Sequence, residues 1–340
     1  MKRVYVINKQ WARSGSFSGY QRVVDYLDCE VKSYRPLKIP YRIAKFFTLR
    51  TKLVNYQSKT FTKEFRILTR LFKKKKILIT YGDMDYYYLH LIKFFPFNLF
   101  KNEVTVTFHH PPYELENRLQ YDRRKILGTI DKIIVMGSNQ IPFFKQYTDA
   151  RIQFIPHGIN TSFFEPSVAS KRKKQIFIFG VSHRDHDRNF KIIEGLLLVF
   201  DDLSIVVVMA PKEAALYRRF RGVKIITRKI TDEELLQFYH ESSCCLLSLK
   251  DCTASNVILE ALATGCPLIV NDVGAVKEYL PEESGIRVFK DYELSETISY
   301  IEEIINSSTL YRTILKKQVT WSKHYDWELI AKKTLDFIEL

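Results

Sequence analysis

Two series of short apolar runs, each run followed by a helical segment, constrain the fold of this 340-residue chain more than any other feature. In the first half, the β-rich runs are 4–7, 77–80, 104–108, 132–136 and 152–155. In the second half, they are 175–179, 204–209, 223–226, 244–249 and 268–270. Strands that alternate with helices favour parallel sheets. The pattern predicts an α/β chain of two doubly wound domains, with a ligand in the cleft between them.

Helical patterns fill the intervals between these runs. The ranges predicted in the first half are 20–28, 41–56 and 58–72, with a loop leading into a helix at 81–95. The ranges predicted in the second half are 191–200, 213–220, 231–243, 292–305, 311–320 and 325–340. Thr231 and Glu234 have the spacing of a capping box, which marks a helix start.

Positive charge is concentrated in the first half of the chain. Residues 1–165 hold 29 Lys and Arg against 13 Asp and Glu, a net charge of +16, whereas residues 166–340 hold 24 against 25, a net charge of −1. Within 31–76, 15 basic residues accompany one acid, Glu64, and eight aromatic residues. Such a segment attracts polyanions and suits an interfacial helix, so we expect contact with an anionic membrane surface. The alternative is a solvated basic helical pair whose aromatic residues face the core.

Composition argues against several other classes of protein. No apolar run reaches the length of a spanning helix, and the opening MKRVYVINKQWARSG does not resemble a secretory leader, so a cytoplasmic location is expected. His183 and His186 alone do not predict a metal site. The cysteines lack the paired spacing of a zinc site or a disulfide framework, so reduced thiols are expected; they are Cys29, Cys244, Cys245, Cys252 and Cys266.

The segment 248–280, SLKDCTASNVILEALATGCPLIVNDVGAVKEYL, is the most specific stretch of the sequence. Ser255 is a good N-cap, and helix-forming residues follow it. Gly265 stands where a left-handed C-cap belongs, and Pro267 prevents the helix from continuing. The segment therefore predicts a helix that leads by a tight stop into the buried strand at 268–270.

Glu260 is the only charged residue between Asp251 and Asp272. A carboxylate among apolar helix residues needs a polar partner or water, and a ribose hydroxyl would be one such partner. The alternative is a solvated stripe, because Asn256, Glu260 and Thr264 are spaced four residues apart on one helix face.

The same segment resembles the nucleotide-sugar signature of retaining GT-B glycosyltransferases of the large family 4 type. In that family an E-x7-E pattern meets a helix followed by A-x-G-x-P, and here ALATGCP follows Glu260. The resemblance implies that Glu260 holds the ribose hydroxyls of the donor. In the family, the first Glu contacts the donor sugar. Here Cys252 stands at that position, and the resemblance implies that the neighbouring Asp251 takes the role of the missing Glu.

Further matches imply the phosphate side of the donor site. Gly180 followed by Arg184 and an Asp resembles the family's G-x-x-x-R-D loop, at a strand end where α/β folds commonly hold phosphates. The resemblance implies that Arg184, in preference to Arg188, neutralises the donor diphosphate. Lys229 is a further candidate for a phosphate contact.

Four more residues belong to the expected donor site. Ser255 and Asn256, at the start of the signature helix, are assigned to donor binding. Gly15 and Gly19 resemble the small-residue first loop that approaches the donor diphosphate and the acceptor.

His109 follows the strand at 104–108, where the family places a His near the transferred sugar. His110 remains open as the alternative, because the two prolines after it fix the turn and leave the side-chain direction undetermined.

The resemblance implies the GT-B fold, an α/β architecture with two Rossmann-like domains facing a central cleft. The expected domains are 1–165 together with the C-terminal helix 323–340, and 170–322, with the boundary near 164–175. The implied enzyme is a retaining, metal-independent hexosyltransferase of polysaccharide or glycolipid assembly, peripheral on the inner face of the cell membrane. It needs no cofactor beyond its donor, a nucleotide diphosphate-sugar, and its acceptor is a lipid-linked molecule or a saccharide.

Two other functions remain open. One is a nucleotide-sugar epimerase or hydrolase on the same fold. The other is a non-enzymatic nucleic-acid-binding protein that uses the basic half of the chain, although no recognised RNA-binding motif supports it and no nucleic-acid partner is expected.

Overall fold

The computed structural model describes residues 3–9, 15–33, 35–70, 74–167 and 172–340. The chain forms two compact units. Unit 1 comprises Met1–Ala12, Tyr20–His157 and Trp327–Leu340, and unit 2 comprises Arg13–Gly19 and Gly158–Asp326. The division therefore falls several residues before the predicted boundary at 164–175. Residues 168–171 of that boundary, and residues 34 and 71–73 of the basic segment, lie outside the described residues.

Unit 1 is built on a six-stranded parallel sheet in the order β2-β1-β3-β4-β5-β6. The strands are β1 Arg3–Ile7, β2 Glu30–Ser33, β3 Lys76–Ile79, β4 Glu103–Phe108, β5 Lys132–Val135 and β6 Arg151–Phe154. The helices before the interunit boundary are α1 Tyr41–Arg50, α2 Ser58–Leu68, α3 Gly82–Asp85, α4 Pro112–Arg118, α5 Arg123–Leu127 and α6 Ile141–Lys145. Short 3-10 helices span Tyr20–Tyr26, Tyr88–Lys93, Phe97–Phe100 and Ser138–Gln140.

Unit 2 repeats the design with the strand order β12-β11-β10-β7-β8-β9, again all parallel. The strands are β7 Gln175–Phe179, β8 Ser204–Val208, β9 Val223–Ile226, β10 Cys244–Leu247, β11 Leu268–Asn271 and β12 Val288–Phe289. The helices are α7 His186–Val199, α8 Pro211–Ala215, α9 Asp232–Glu241, α10 Asn256–Thr264, α11 Val276–Tyr279, α12 Leu294–Asn306 and α13 Ser308–Ser322. Short 3-10 helices span Leu216–Arg219, Glu282–Ser284 and Lys323–Tyr325.

The last helix, α14 Trp327–Glu339, belongs to unit 1. Trp327 is buried, and the ammonium groups of Lys76 and Lys132 donate to the carbonyl of Ile338 at 2.9 and 2.8 Å. The lysines on two strands therefore hold the end of α14 against the first sheet, where they also satisfy carbonyls that a helix C-terminus leaves unpaired.

Several predicted boundaries are wrong for identifiable reasons. The helix predicted at 41–56 ends at Arg50, because Lys52 and Asn55 adopt the left-handed backbone conformation with φ of 51° and 66°. The helix predicted at 191–200 begins earlier, at His186, because the Asp185 carboxylate caps it by accepting the N–H of Arg188 at 3.1 Å.

Other differences concern element type. The segment predicted as a helix at 20–28 is a 3-10 helix over Tyr20–Tyr26, and 213–220 divides into α8 and a 3-10 turn. The strands β2 and β12 were not predicted. Both lie at sheet edges, where β2 is only partly buried and β12 has two residues, so neither carries a long apolar signal.

Each sheet carries its own buried core, which in unit 2 includes Ile176, Ile178, Ile205, Val207 and Leu246. Among the helices of the described ranges, none is both long and apolar enough to cross a membrane.

Candidate functional site

The Glu260 carboxylate lies in the middle of α10 and is buried, with 1% of the residue exposed. Thr264, one turn further on, is 3% exposed and donates its hydroxyl to the Glu260 carbonyl at 2.8 Å. The solvated-stripe alternative is therefore wrong for Glu260 and Thr264, which face the protein interior, whereas Asn256 is partly exposed. Burial penalises the charged form and raises the pKa of Glu260 to about 7.

Two hydroxyl groups satisfy this carboxylate, as a buried charge requires. The Tyr239 hydroxyl on α9 donates to Oε2 at 2.9 Å, and the Ser18 hydroxyl donates to Oε1 at 2.9 Å. Tyr239 is itself fully buried, whereas Ser18 is partly exposed on the loop after β1. The predicted need for a polar partner is confirmed, and both partners offer the same chemical group as a sugar.

The loop Gly15–Gly19, which carries Ser18, is part of unit 2. The Ser16 amide donates to Oδ2 of Asp232 at 2.5 Å, and Phe17 stacks on Phe163 with ring centroids 3.8 Å apart. A Cβ at position 15 would collide with the Asp232 carboxylate, so close packing favours glycine there, and Gly19 has a φ of 97°, a backbone conformation that favours glycine.

Arg184 lies just beyond the end of β7, and its guanidinium is buried. Nε and Nη2 donate to the carbonyl of Phe179 at 3.1 and 2.8 Å, and Nη1 donates to the carbonyl of Ser182 at 2.8 Å. Three of its five N–H groups therefore hold its own loop in shape. Burial lowers the pKa of Arg184.

The loop of Arg184 is paired with the chain that leaves β10. The amide of Asp185 donates to the carbonyl of Ser248, and the amide of Lys250 donates to the carbonyl of His183, at 3.0 and 2.8 Å. A Cβ at Gly180 would lie 2.5 Å from Nη2 of Arg184 and 3.7 Å from Val257 in the first turn of α10. Arg184 and the start of α10 are therefore neighbours, and the Arg184 charge is among the influences that lower the pKa of Glu260 against the larger effect of burial.

The remaining predicted residues of unit 2 differ in exposure. Asp251 is partly exposed, and its Oδ1 accepts the amide of Cys252 at 2.7 Å. Ser255 is the N-cap of α10, but its side chain makes no capping hydrogen bond within the described chain, and Asn256 beside it is partly exposed. Lys229 is exposed on the segment between β9 and α9.

Arg188, the alternative to Arg184, is also engaged. Its Nη1 donates to the carbonyl of Asp291 at 2.6 Å, and its Nη2 donates to the carbonyl of Lys290 and the hydroxyl of Thr297, both at 3.3 Å. It is 7% exposed and ties α7 to the start of α12.

His109 and His110 follow β4 in unit 1. Nε2 of His109 lies 2.7 Å from the carbonyl of Thr80, which can only accept, so this nitrogen carries the proton. The ring stacks on Tyr81 at 4.6 Å and meets the edge of Tyr20 at 4.8 Å, and burial lowers the pKa of His109. The imidazole is therefore neutral near pH 7.

Asp83 and Glu114 hold this histidine pair in place. The buried Asp83 carboxylate accepts the amides of His109 and His110 at 2.9 and 3.3 Å. Nδ1 of His110 lies 2.5 Å from the Glu114 carboxylate, which also accepts Nε of Arg118 at 3.1 Å.

The sequence did not predict the residues that hold Glu260 and His109 in place. Tyr239 and Ser18 contact Glu260, but Tyr239 stands in a helix with mixed polarity and Ser18 stands between glycines that carry the stronger signal. Asp83, which accepts the amide of His109, lies in a segment for which only a loop was predicted. The available signal for Ser18 was a pair of hydroxyl residues inside a glycine-bounded turn, a composition that suits polar contacts.

Comparison with known proteins shows a match to one protein family and a similarity in fold. Residues 190–307 match the family described as glycosyl transferases group 1. No curated protein sequence matches the chain.

Three solved structures illustrate the similarity in fold. The pneumococcal O-GlcNAc transferase GtfA in complex with UDP and GlcNAc has a TM-score of 0.62 at 15% identity, over 82% of this chain and 59% of that chain. The sucrose-phosphate synthase of Thermosynechococcus elongatus has a TM-score of 0.64 at 14% identity, over 99% and 88%. The E. coli trehalose-6-phosphate protein bound with UDP-2-fluoro glucose has a TM-score of 0.68 at 13% identity, over 99% and 99%.

The TM-scores of these three structures establish the fold of the chain. The fold is GT-B, with two parallel α/β units, and the resemblance to GT-B glycosyltransferases is confirmed. The chain spans 59% of the length of the pneumococcal GtfA chain that it matches.

Proposed function

We propose that the chain is a glycosyltransferase that moves a sugar from a nucleoside diphosphate sugar to a hydroxyl of a lipid-linked or saccharide acceptor. The observation that carries the proposal is the buried Glu260 carboxylate, whose two oxygens accept hydrogen bonds from two hydroxyl groups. A ribose presents two neighbouring hydroxyls of this kind. Glu260 also lies inside the range that matches the glycosyl transferases group 1.

The diphosphate is proposed to bind at the start of α10. The first amides of a helix lack intrahelical acceptors and carry the positive end of the helix dipole, which favours an anion. Ser255 and Asn256 stand at this end and are partly exposed. Lys229 adds an exposed cation that can reach a phosphate by a flexible side chain.

Arg184 is proposed to stabilise negative charge that develops on the departing diphosphate. Its guanidinium lies beside the first turn of α10, and its bonds to main-chain carbonyls fix its position before the donor arrives. A preorganised cation in a buried site is effective because little reorganisation accompanies the reaction. Asp251, on the paired loop, is proposed to hold hydroxyls of the donor sugar.

We propose retention of the anomeric configuration. The acceptor hydroxyl would attack the anomeric carbon on the face from which the diphosphate leaves, the glycosidic bond to phosphate would break, and the β-phosphate would take the hydroxyl proton. The neutral His109 is suited to hydrogen-bond a hydroxyl of the transferred sugar. Protein cations are proposed to fill the role of a metal ion, so EDTA is expected to leave transfer unchanged.

The experiment has two stages. Thermal-shift measurements with UDP, GDP, ADP and their sugars identify the donor, because a ligand that binds the folded chain raises its melting temperature. UDP is the first candidate, since two of the similar structures contain UDP or a UDP-sugar. The donor is then incubated with the protein and a co-purified glycolipid, with and without EDTA. Labelled sugar on the glycolipid, in the anomeric configuration of the donor, is expected; release of free sugar or an isomer alone would favour the hydrolase or epimerase.

We also propose that unit 1 binds an anionic membrane surface through α1, as a peripheral protein of the inner face. Only Ala44 of this ten-residue helix is buried. The other side chains include exposed apolar residues and exposed basic residues, namely Tyr41, Ile43, Phe46, Leu49, Arg42, Lys45 and Arg50. The alternative that the aromatic residues of this segment face the core holds for Phe61, which is 4% exposed, whereas Phe46 is 50% exposed.

A second exposed apolar group lies on the same unit. Phe94, Phe95, Leu99 and Phe100 are exposed at 47%, 79%, 64% and 37%, around the 3-10 helix Phe97–Phe100. Large apolar side chains beside basic ones are typical of surfaces that enter the headgroup region of a bilayer. Each of the three basic residues of α1 contributes about 1 kcal/mol near an anionic leaflet.

Vesicle flotation tests the membrane proposal with a matched pair of leucines. Leu49 on α1 is 70% exposed, and Leu198 on α7 in unit 2 is 89% exposed. We expect binding to phosphatidylglycerol vesicles and weak binding to phosphatidylcholine vesicles, with Leu49→Ser reducing the bound fraction and Leu198→Ser leaving it unchanged. Binding to RNA at the same moderate salt without binding to vesicles would favour the nucleic-acid function.

A further inference from the structure

Ser18 places a hydroxyl where the proposed donor needs to place one. Its Oγ donates to Oε1 of Glu260 at 2.9 Å, while Tyr239 donates to Oε2 from the buried side. With both donors in place, only 1% of Glu260 is exposed. A ligand of the size of a ribose cannot reach a carboxylate that is covered to this extent.

The two hydroxyl donors are not equivalent. Tyr239 is 0% exposed, lies on α9 and packs edge-on against Phe177 at 5.1 Å. Ser18 is partly exposed and stands on a segment with neither helix nor strand. Access to Glu260 therefore requires that Ser18, rather than Tyr239, moves away.

Contacts of Gly15, Ser16 and Phe17 dock the rest of the loop. The Ser16 amide donates to Asp232, Phe17 stacks on Phe163 with an interplanar angle of 8°, and Gly15 lies against the Asp232 carboxylate. The residues that flank this stretch, up to Ala12 and from Tyr20, belong to unit 1. Gly15 and Gly19 bound the loop, and glycine permits the backbone rotation that release of the loop needs.

We propose that the loop Gly15–Gly19 competes with the donor for Glu260, with the Ser18 hydroxyl in place of a ribose hydroxyl, and that the donor binds by displacing the loop. The inference rests on the proposed function. It adds that a loop of the chain itself competes with the donor for the Glu260 carboxylate. The sequence predicted that this loop approaches the diphosphate; in the structure, the loop contacts the Glu260 carboxylate, which is proposed to bind the ribose. Removing the competitor favours the donor, because the free energy spent on displacing the loop lowers the observed affinity.

Isothermal titration with UDP, GDP and ADP compares the wild type with Ser18→Ala and Phe17→Ala. The first variant removes the competing hydroxyl, and the second removes the stacking contact with Phe163. Both are expected to bind the nucleotide at least about threefold more tightly, because one hydrogen bond or stacking contact is no longer lost on binding. Ser16→Ala is the matched control, since Ser16 uses its backbone amide and should bind within about twofold of the wild type.

Amide hydrogen exchange gives a second measurement on the wild-type chain. A saturating nucleotide is expected to speed exchange in the peptide that contains 15–19, because the Ser16 amide loses Asp232 as acceptor. Unchanged or weaker nucleotide binding by both variants, or slower exchange in this peptide, would overturn the inference while the proposed function stood. If no nucleotide binds the wild type or either variant, the proposed function fails and this inference fails with it.

Discussion

Among the described residues, each of the two units buries one glutamate on a helix, and the two glutamates are held differently. Glu64 of α2 and Glu260 of α10 are 0% and 1% exposed, and burial raises the pKa of each to about 7. Glu64 accepts the backbone amides of Tyr87, Tyr88 and Leu89 at 2.9, 3.0 and 3.2 Å, and also the Tyr56 hydroxyl. Glu260 accepts only side-chain hydroxyls among its hydrogen bonds in the described chain.

The difference separates a structural carboxylate from one that is available to a ligand. Backbone amides of Tyr87 to Leu89 cannot leave Glu64 without unfolding the start of the 3-10 helix Tyr88–Lys93. One of the two hydroxyls on Glu260 stands on a loop, and a ligand hydroxyl can replace it. Burial and a raised pKa alone therefore do not identify a functional carboxylate; the nature of its donors does.

Replacing Glu64 by alanine should have the largest effect, and this effect should be on stability. Glu64→Ala leaves the backbone N–H groups of Tyr87, Tyr88 and Leu89 without their acceptor, at a cost of about 1–3 kcal/mol for each buried group. We expect a loss of about 3 kcal/mol or more in the free energy of unfolding, measured by urea denaturation. Nucleotide affinity of the folded fraction should stay within about twofold of wild type. A large loss of affinity would contradict the assignment of a purely structural role to Glu64.

Donor binding should strengthen with pH through Glu260. The carboxylate is the form that accepts hydrogen bonds from both ribose hydroxyls, and with a pKa of about 7 it is mostly protonated at pH 6 and mostly ionised at pH 8. Affinity for the nucleotide-sugar should therefore rise by up to about tenfold between these values. Glu64→Gln should keep this dependence and Glu260→Gln should lose it; the same slope in both variants would contradict the assignment.

Stability should change with pH in the opposite direction. The folded-state pKa of each glutamate is raised from 4.5 to about 7, so each favours folding fully below pH 4.5 and loses that contribution as pH rises through 7. The melting temperature of the nucleotide-free chain should therefore fall between pH 5 and pH 8, as scanning calorimetry would measure. Glu64→Gln should flatten part of this fall, and an unchanged curve would show that Glu64 does not titrate in this range.

Removing the Tyr239 hydroxyl should have the smallest effect. Tyr239→Phe keeps the ring in its packing and deletes one donor to Oε2, and that donor lowers the pKa of Glu260. The midpoint of the pH dependence of donor binding should shift upward, and affinity at pH 7 should fall by about threefold. An affinity equal to that of the wild type, with an unshifted midpoint, would show that Tyr239 does not position the carboxylate.

The sequence predicted the alternation of strands and helices well because buried parallel strands are continuous apolar runs, as in QIFIF and SIVVV. Its prediction of the helix around Glu260 was confirmed: the helix begins after Ser255, whose side chain makes no capping hydrogen bond, and ends at Gly265, whose φ of 70° is the left-handed C-cap. The edge strands β2 and β12 escaped prediction because an edge strand needs little apolar surface. The helix predicted at 41–56 was too long because Lys52, a residue type that rarely adopts the left-handed conformation, has a φ of 51°.

The sequence located Arg184 and His109 but could not predict what their side chains contact. The guanidinium of Arg184 bonds to carbonyls of its own loop, and the acceptor for the His109 ring is the carbonyl of Thr80, on a different strand end. Such contacts depend on backbone atoms, which are the same for every residue type. For the same reason, the contact of Ser18 with Glu260, 242 positions later in the chain, required the structure.

The most direct test of the account is the affinity of the nucleotide-sugar for Glu260→Gln, measured by isothermal titration beside the wild type and Glu64→Gln at pH 8. A glutamine keeps the size of the side chain but replaces one acceptor oxygen with a donor, so at least about a tenfold loss of affinity is expected for Glu260→Gln. Glu64→Gln should bind like the wild type. Equal affinity in all three proteins, or a wild type that binds no nucleotide-sugar, would contradict the assignment of Glu260 to the donor site.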